Sequence, residues 1–252
     1  MQLSIVIPVL NDAPALSRLL ADLTTALDDQ DIEVIVVDGG SRDAFDAAVA
    51  SRPVKLIKSG QGRGVQLATG VAASQGLIVW LLHADSRVPV DAPALVLAQA
   101  SGWGRLRLRF EPDFQGMRIV AWMMHWRSRL TGICTGDQGI WIERKLLDGV
   151  GGVPVQPLME DVELSIRLRR QAWPRVLPLA LTTSSRRWQE GGLMKTILLM
   201  WWLRFRYFLG TPAQTLARSY ANVRDSHEMA TAQANSPDSG RSTIVDGRSS
   251  KP

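Results

Sequence analysis

Residues 3–41, "LSIVIPVLNDAPALSRLLADLTTALDDQDIEVIVVDGGS", decide the fold. They contain two apolar runs rich in β-branched residues, 3–10 and 32–41, which are typical of strands buried on both faces. Between these runs, Asn11 or Asp12 precedes a segment with helical periodicity. Leucines there recur at spacings of three and four: Leu16, Leu19, Leu20, Leu23 and Leu27. A strand, helix and strand of about 30 residues predict a βαβ unit with two parallel strands.

The same alternation continues to residue 85. "VKLIKS" (54–59) is a predicted third strand, and the glycine loop "GQGRG" (60–64) leads through a helix of small residues to a fourth strand, 77–82. Strands that alternate with helices predict an α/β fold, with a mostly parallel central sheet and helices on both faces. Further on, the alternating pattern of "WGRLRLRF" (103–110) predicts an antiparallel or edge strand, so the second half is predicted to be mixed.

The length and composition indicate one globular domain with a tail. The chain has 252 residues, of which 46% are hydrophobic, and we expect a domain over residues 1–224 and a disordered polar tail over 225–252. Cys134 is the single cysteine, which excludes an internal disulfide framework. The first strand lacks the basic segment of a signal peptide, and no apolar run reaches about 18 residues. We therefore expect a cytoplasmic protein without a membrane-spanning helix.

Charged residues follow the predicted strands or begin the next helices: Asp38, Arg63, Asp85, Asp137, Glu160 and Asp161. Because open parallel sheets bind ligands outside the carboxyl ends of their strands, we expect these side chains to share one site. Mg²⁺ and Mn²⁺ prefer carboxylate and phosphate oxygens, so Asp85 is the expected metal ligand. Glu160 or Asp161 is a candidate general base. Two simpler interpretations stay open: Asp85 as a turn residue, and the other two acids as partners of a helix dipole.

Seven segments of the chain, in this order, resemble glycosyltransferase family 2, which has a GT-A fold: "SIVIPVLND", "VVDGGSRDAF", "GRGVQLATGVAASQG", "LLHADS", "TGDQGIWI", "LMEDVELSIRLRR" and "SSRRW". The resemblance covers roughly residues 3–220 and is greatest to a short bacterial subgroup labelled "transferase 2, rSAM/selenodomain-associated". It implies the inverting transfer of a sugar from a nucleotide-diphosphate sugar, a UDP- or GDP-sugar, to a hydroxyl acceptor. It also implies a divalent cation, Mg²⁺ or Mn²⁺, as cofactor.

The resemblance implies donor-binding roles for positions spread along the chain: Pro8, Asp38, Gly39, Arg63, Asp85, Arg187 and Trp188. Asp38 would contact the base or the ribose of the nucleotide, and Asp85 would hold the metal that bridges the diphosphate. Arg187 and Trp188 resemble the basic and aromatic pair that the family uses on the donor side. Arg63, between two glycines, would reach the diphosphate.

The resemblance also implies catalytic and acceptor-binding roles. Asp161 of "ED" would be the general base that deprotonates the acceptor, with Glu160 beside it. Asp137 and Gln138 match the "GDQG" of the subgroup, and we predict that they contact the acceptor or the hexose.

Two of the departures from the family pattern concern the donor site. Gly39 stands where many members have the second acid of "DDGS", so one nucleotide contact is missing or made differently. His83 stands at the first position of the usual Asp-x-Asp, which leaves Asp85 as its single carboxylate. A neutral histidine is a poorer partner for Mg²⁺ than for Mn²⁺, so this change bears on the choice of metal.

An NAD(P)-binding Rossmann-type protein is one alternative interpretation. It is suggested by "GQGRG", which follows a strand, and by Asp85, which lies about 20 residues further on, as a ribose-binding acid would. Against it, Val65 stands where the fingerprint requires its third glycine, and the motif follows the third predicted strand rather than the first.

A non-catalytic protein of the membrane surface is another alternative. The net charge of +5 and the pI of about 9.9 permit an anionic partner. The aromatic-rich predicted helix 193–210, which carries Lys195, Arg204 and Arg206, would either lie in a membrane interface or pack on the domain. An interfacial helix would suit a lipid-linked acceptor and a peripheral location on the inner face of the cell membrane. The arginines are dispersed and no nucleic-acid-binding motif is present, so we expect no nucleic-acid partner.

Overall fold

A computed structural model gives the structure of the following parts of the chain: residues 1–24, 31–50, 52–114, 116–185 and 192–220. They contain a sheet of seven strands, which are, in chain order, β1 (Leu3–Val9), β2 (Ile32–Asp38), β3 (Lys55–Lys58), β4 (Ile78–Leu81), β5 (Trp103–Glu111), β6 (Ile140–Glu143) and β7 (Arg175–Ser184). Their order across the sheet is β3-β2-β1-β4-β6-β5-β7.

All strands of this sheet except β6 run in the same direction. β1 pairs in parallel with β2 and β4, β2 with β3, and β5 with β7. β6 is antiparallel to both of its neighbours, β4 and β5. The carboxyl ends of the parallel strands therefore lie along one edge, together with the amino end of β6. This arrangement confirms the predicted mostly parallel sheet with a mixed second half.

The strand predicted at 103–110 is antiparallel to β6 but does not lie at an edge. Its free side pairs with β7, from Gly104 beside Arg175 to Glu111 beside Ser184. The edge strands are β3 and β7. Of the two predicted alternatives, the antiparallel one holds for the pairing with β6 only, because β5 runs parallel to β7, and the edge one is wrong.

Helices cover both faces of the sheet, as predicted: α1 (Ala13–Asp22), α2 (Phe45–Val49), α3 (Arg63–Ala72), α4 (Ala92–Leu97), α5 (Met117–Thr131), α6 (Arg144–Gly149), α7 (Glu160–Arg169) and α8 (Leu193–Phe208). Residues 213–220 are also helical. Successive side chains of a strand point to opposite faces. In β1, Ile5 and Ile7 pack in one hydrophobic cluster with Leu16 of α1, and Val6 packs in the other with Leu67 of α3.

Pro8 lies in a central strand, where a missing N–H normally leaves a gap in the ladder. It stands beside Val37 of β2, but the hydrogen bonds from β1 to the β4 side end with the Leu82 N–H, which donates to the Val6 carbonyl at 3.1 Å. The backbone groups of Val6 point toward β4, and Pro8, two residues later, has the same orientation. The missing N–H of Pro8 therefore faces the β4 side, beyond the last hydrogen bond between β1 and the chain that follows β4. No hydrogen bond of the described sheet is lost there.

The start of α1 is held differently from the prediction. Asp12 is the residue before the helix, but its side chain makes no capping hydrogen bond. Instead the Ala13 N–H donates to Asp43 Oδ2 at 2.7 Å, which ties the loop after β2 to the helix. Leu27 of the predicted helical stripe and the predicted tail 225–252 lie outside the described residues.

We expect Gly70→Ala to destabilise the fold, because α3 approaches the sheet closely at this point. A Cβ at Gly70 would overlap Val6 and lie 2.8 Å from Cγ2 of Val37. Overpacking of this kind costs about 1–3 kcal/mol. Gly149→Ala is the matched control: it also replaces a helical glycine, but its Cβ meets no atom within 4 Å, so the free energy of unfolding should stay equal or rise. Urea unfolding measures both variants, and a Gly70→Ala protein more stable than the wild type would contradict the close packing.

Candidate active site

A cavity of about 410 Å³ opens at the edge where the parallel strands end. Its walls include side chains from the ends of several strands and from the helices that follow them. The structure brings five of the predicted site residues together in this cavity: Arg63, Asp85, Asp137, Glu160 and Asp161. They come from segments far apart in the sequence, so the topology of the sheet, and not local spacing, assembles the site.

Glu160 and Arg63 form an ion pair between the first turns of α7 and α3, in which Glu160 is buried and the Arg63 side chain is partly exposed. The Nε of Arg63 donates to Oε1 of Glu160. Glu160 is 2% exposed, and this burial raises the pKa of its carboxyl group, although Arg63 opposes the change. Met159, directly before Glu160, has a φ of 64°, a left-handed conformation that non-glycine residues adopt at a cost. The chain thus accepts local strain where it delivers the two acids to the cavity.

Asp161 is a carboxylate held by backbone N–H groups. Its Oδ2 accepts from the Gly136 N–H at 2.9 Å, and its Oδ1 accepts from the Val162 N–H at 2.8 Å. Burial alone would raise its pKa, but the charge of Arg63 and the bond from Gly136, with smaller contributions from Arg204 and His83, lower it. Asp161 is therefore ionised at neutral pH and fixed in orientation.

His83 and Asp85 follow β4 and lie on the same wall of the cavity. The Nε2 of His83 is 3.5 Å from Nη1 of Arg63. A Cβ at Gly136 would overlap the imidazole, so only glycine leaves room for His83 at this distance from the loop. The hydroxyl of Thr183, at the end of β7, donates to Oδ2 of Asp85 at 3.5 Å.

The carboxylates of the cavity fit a cation that arrives with a phosphate ligand better than a preformed metal site. No group of three or more His, Cys, Asp and Glu side chains within the described ranges could hold a metal ion. Mg²⁺ in enzymes is often bound by one or two carboxylates together with substrate phosphates. Asp85 supplies one such carboxylate, and Asp137 Oδ1 is buried without a hydrogen-bond partner among the described residues.

Asp137 lines the cavity, but Gln138 does not. Gln138 is fully buried, and its Oε1 accepts from the Thr135 N–H at 3.0 Å, in a capping box around the short 3-10 turn Gly136–Gln138. Its side chain therefore shapes the turn that presents Asp137 and the Gly136 N–H. Contact of Gln138 with an acceptor or hexose stays a prediction, and its burial does not favour it.

The predicted nucleotide-binding residues Pro8, Asp38 and Gly39 are at the same edge of the sheet but are not among the cavity-lining residues. Oδ1 of Asp38 accepts from the N–H groups of Gly40 (3.1 Å) and Ser41 (2.8 Å), which is an Asx-type turn. Their contacts with a nucleotide stay predictions. Arg187 and Trp188 lie outside the described residues.

Arg127, Thr183 and Arg204 line the cavity, although the sequence analysis did not assign them to the site. Arg127 lies seven residues after Val120, on the side of α5 that packs inward. Arg204 lies four residues after Met200, which packs against a buried cluster. In both helices a charged residue lies on the stripe that otherwise packs inward, and this pattern in the sequence could have indicated a site residue. Thr183 offered no such signal.

α8 packs on the domain with one face and exposes the other. Leu203 is fully buried in a cluster with Met159 and Val162. The other face carries exposed large apolar side chains: Met194, Leu198, Trp201, Trp202, Phe205 and Phe208. The predicted packing is therefore present, and the predicted membrane contact stays a prediction. Within the described ranges, no helix has both the length and the apolar character needed to cross a bilayer.

The glycine loop packs against protein in this structure. A Cβ at Gly64 would lie 2.8 Å from the Pro154 carbonyl and 2.7 Å from the Gln156 carbonyl, so glycine here lets α3 approach the loop before α7. The loop follows β3, which is an edge strand. In a Rossmann fold, the glycine motif follows the first strand, near the middle of the sheet, so neither observation favours the dinucleotide-binding alternative.

Comparisons with known sequences identify related proteins. Residues 4–102 match the family model for glycosyl transferase family 2. Beta-monoglucosyldiacylglycerol synthase of Synechocystis sp. is 28% identical in an alignment of 209 positions that covers 68% of this chain and 43% of that protein. The chain thus spans less than half the length of this curated relative. The assignment to the short bacterial subgroup stays a prediction.

Comparisons with solved structures identify the fold. The mannosyltransferase PcManGT from Pyrobaculum calidifontis, in complex with GDP-Man and Mn²⁺, has a TM-score of 0.58 and 21% identity, covering 93% of this chain and 76% of that one. S. aureus TarS 1-349, in complex with UDP-GlcNAc, has a TM-score of 0.56 and 17% identity, covering 73% of this chain and 58% of that one. At these identities the likeness lies in the fold, and it confirms the expected GT-A architecture.

We expect the two adjacent carboxyl groups to titrate on opposite sides of their ordinary pKa values, Glu160 above 4.5 and Asp161 below 3.8. The stabilisation from ionised Asp161 is present above its unfolded pKa and is lost as the pH falls through its folded pKa. For Glu160 the sign is opposite, because stability is lost as the pH rises through the raised folded pKa. Carboxyl ¹³C NMR, with Glu160→Gln and Asp161→Asn for assignment, measures both midpoints. The reverse order would contradict the arrangement.

Proposed function

We propose that the protein is an inverting, metal-assisted glycosyltransferase of family 2, the family whose model matches residues 4–102. It transfers a sugar from a nucleotide-diphosphate sugar, a UDP- or GDP-sugar, to a hydroxyl acceptor. One observation carries the proposal: Asp85, Asp161 and Arg63 converge on a single cavity at the carboxyl edge of a GT-A sheet.

Asp161 is the general base of the proposed reaction. The acceptor hydroxyl loses its proton to the Asp161 carboxylate while its oxygen attacks the anomeric carbon of the donor. The bond from that carbon to the diphosphate oxygen breaks, and the nucleoside diphosphate leaves with the bonding electron pair. Because attack and departure occur on opposite faces of the sugar, the configuration inverts. The hydrogen bonds from Gly136 and Val162 keep Asp161 ionised and aimed into the cavity.

Glu160 acts beside the base by holding Arg63. The ion pair fixes the guanidinium group near His83, where it can bind a phosphate oxygen of the donor. His83, Asp85 and Arg63 then form the wall that receives the diphosphate.

Asp85 is the proposed ligand of a divalent cation. When bound, such a cation stabilises the negative charge that grows on the departing diphosphate. The single carboxylate at this position is consistent with a cation shared with the donor phosphates. The structural neighbour PcManGT was solved with GDP-Man and Mn²⁺, which supports a nucleotide sugar and a divalent ion as the donor-side ligands.

A lipid-linked acceptor at the inner face of the cell membrane is the proposed second substrate. The exposed apolar face of α8 adjoins the cavity through Trp201, which belongs to both. Arg206 stacks over Trp202 at 4.8 Å, so the aromatic face also has basic side chains suited to anionic headgroups. The matched relative is named for the synthesis of a glucosyl diacylglycerol, and its acceptor type supports this choice.

We expect Asp161→Asn to reduce sugar transfer by about 10²-fold to 10⁴-fold while donor binding is retained, because only the proton acceptor is lost. Turnover in a coupled nucleoside-diphosphate-release assay, together with calorimetric binding of the donor, separates the two effects. Wild-type turnover in this variant would remove Asp161 from its proposed role.

Asp85→Asn should have a different effect. Binding of a nucleoside diphosphate in the presence of Mn²⁺ should fall to the affinity that the wild type shows with EDTA, since the amide is a weaker ligand than the carboxylate. Asp91→Asn, in the loop that follows, is the matched control and should behave like the wild type. An Asp85→Asn protein with unchanged metal-dependent affinity would contradict the assignment.

The membrane proposal has its own test, vesicle cosedimentation of the full chain. Phe205→Ser removes a side chain that is 63% exposed on α8, and we expect weaker binding to vesicles that contain anionic lipid. Leu77→Ser is the matched control, because Leu77 is 60% exposed but lies at the opposite, amino edge of the sheet. Equal vesicle binding by the two variants would contradict a membrane role for α8.

A further inference from the structure

Two arginines of the cavity have guanidinium nitrogens without partners. Arg127 of α5 makes one long hydrogen bond, from Nη2 to Oγ1 of Thr135 at 3.4 Å. Its Nε and Nη1, and the Nε of Arg204 of α8, are buried and have no hydrogen-bond partner in the part of the chain that the structure describes. Buried polar groups in native proteins are almost always hydrogen-bonded, so these exceptions require an explanation.

The two guanidinium groups also repel each other. Burial, and then the charge of Arg204, lower the pKa of Arg127 to about 10, which still leaves Arg127 charged at neutral pH. Asp137 and Asp161 offset part of this charge, but Asp161 also interacts with Arg63. Two desolvated guanidinium groups with unused N–H donors are unfavourable in the ligand-free protein. An anion bound between them would accept the hydrogen bonds and offset the repulsion.

We propose that Arg127 and Arg204 bind a phosphate group carried by the acceptor, close to the point where its hydroxyl meets Asp161. This inference rests on the proposed transfer reaction and adds the chemical class of the acceptor. A phosphate supplies oxygens for the unused N–H groups and neutralises the repulsion. The planar guanidinium group also matches two phosphate oxygens at once, which favours phosphate over a single-point anion.

The position of the pair distinguishes it from the donor diphosphate site. Arg127 and Arg204 belong to α5 and α8, helices that follow β5 and β7 on one half of the sheet. Asp38 and Arg63 belong to β2 and α3, on the other half. Asp161 interacts electrostatically with both Arg63 and Arg204, so the proposed base lies near both basic groups.

The surroundings of the pair favour a phosphate that is attached to an apolar group. Met123, Met124 and Met200 line the same cavity, and Trp201 connects it with the exposed face of α8. A soluble phosphate ester has the same anionic group as a lipid phosphate but lacks the apolar chain. The experiment therefore includes both sources of phosphate.

The experiment compares matched double variants of the full chain. Arg127→Gln/Arg204→Gln removes the two guanidinium groups with unpartnered nitrogens. Arg118→Gln/Arg129→Gln, the control, removes two exposed arginines of α5. By calorimetry, inorganic phosphate should bind the wild type and the control variant equally, and the first variant at least about tenfold more weakly. Without ligand, the first variant should have a Tm equal to or above that of the wild type, because two mutually repelling charges that are only partly compensated have been removed.

Two additional titrations identify the site and the source of the phosphate. Inorganic phosphate should still bind when a nucleoside diphosphate and Mn²⁺ are already saturating, because the two sites are separate. Phosphatidylcholine vesicles with phosphatidic acid, compared with soluble glycerol 3-phosphate, then distinguish a lipid phosphate from a free ester. If the Arg127→Gln/Arg204→Gln protein loses binding to the phosphatidic acid vesicles or to glycerol 3-phosphate, the assignment is supported. The ligand whose binding is lost identifies the source of the phosphate.

Three results would overturn the assignment: no saturable phosphate binding by the wild type, equal phosphate affinity in the first variant, or a parallel loss of nucleoside diphosphate affinity in that variant. If the double variant does not fold, the Arg204→Lys variant tests the assignment instead. This variant keeps the positive charge but loses the planar guanidinium group. Unchanged phosphate affinity in Arg204→Lys overturns the assignment, and weaker phosphate affinity with intact nucleoside diphosphate binding supports it. A wild type that binds no nucleoside diphosphate with metal contradicts the proposed function instead, whatever phosphate does.

Discussion

The common direction of the strands is the constraint on which the rest of the molecule depends. Because every strand of the described sheet except β6 runs the same way, the polar segments that follow them leave the sheet at one edge. β6 runs in reverse, so the turn that precedes it, with Asp137, reaches that same edge. The strand pairing thereby brings residues as distant as Arg63 and Glu160 into contact, and the cavity follows from the backbone topology.

Charge balance determines how that edge is used. Glu160 is matched by Arg63, Asp161 is held by backbone N–H groups, and Arg127 and Arg204 remain with unused donors within the described structure. Glu160 and Asp161 are therefore partnered, Asp137 Oδ1 has no partner among the described residues, and the basic side of the site is incomplete. Anionic ligands, a donor diphosphate and a phosphate-bearing acceptor, would complete it.

Local sequence patterns predicted the parallel first half and the charged residues at its strand ends, because period-two and period-3.6 patterns are read within short windows. They did not predict β7. Its Pro178 interrupts a strand pattern, and the structure accommodates it at a register shift in an edge strand, opposite the segment between Arg105 and Arg107. Arg127 and Arg204 lie on inward-facing stripes of their helices, but only the packing of α5 and α8 over the cavity shows that they line it. Gln138, which was predicted to contact the acceptor or the hexose, is buried in a capping box that fixes the turn before β6.

Ligand-induced thermal stabilisation of the wild-type full chain tests the central claim most directly. The panel consists of UDP, GDP, CDP, dTDP, NAD and NADP, each with EDTA, Mg²⁺ or Mn²⁺. A glycosyltransferase site at Asp85 predicts that one nucleoside diphosphate raises Tm only when the divalent cation is present, because a ligand that binds the native state stabilises it. A rise in Tm with NAD or NADP that is independent of metal, without a response to any nucleoside diphosphate, would contradict the claim and identify a dinucleotide site.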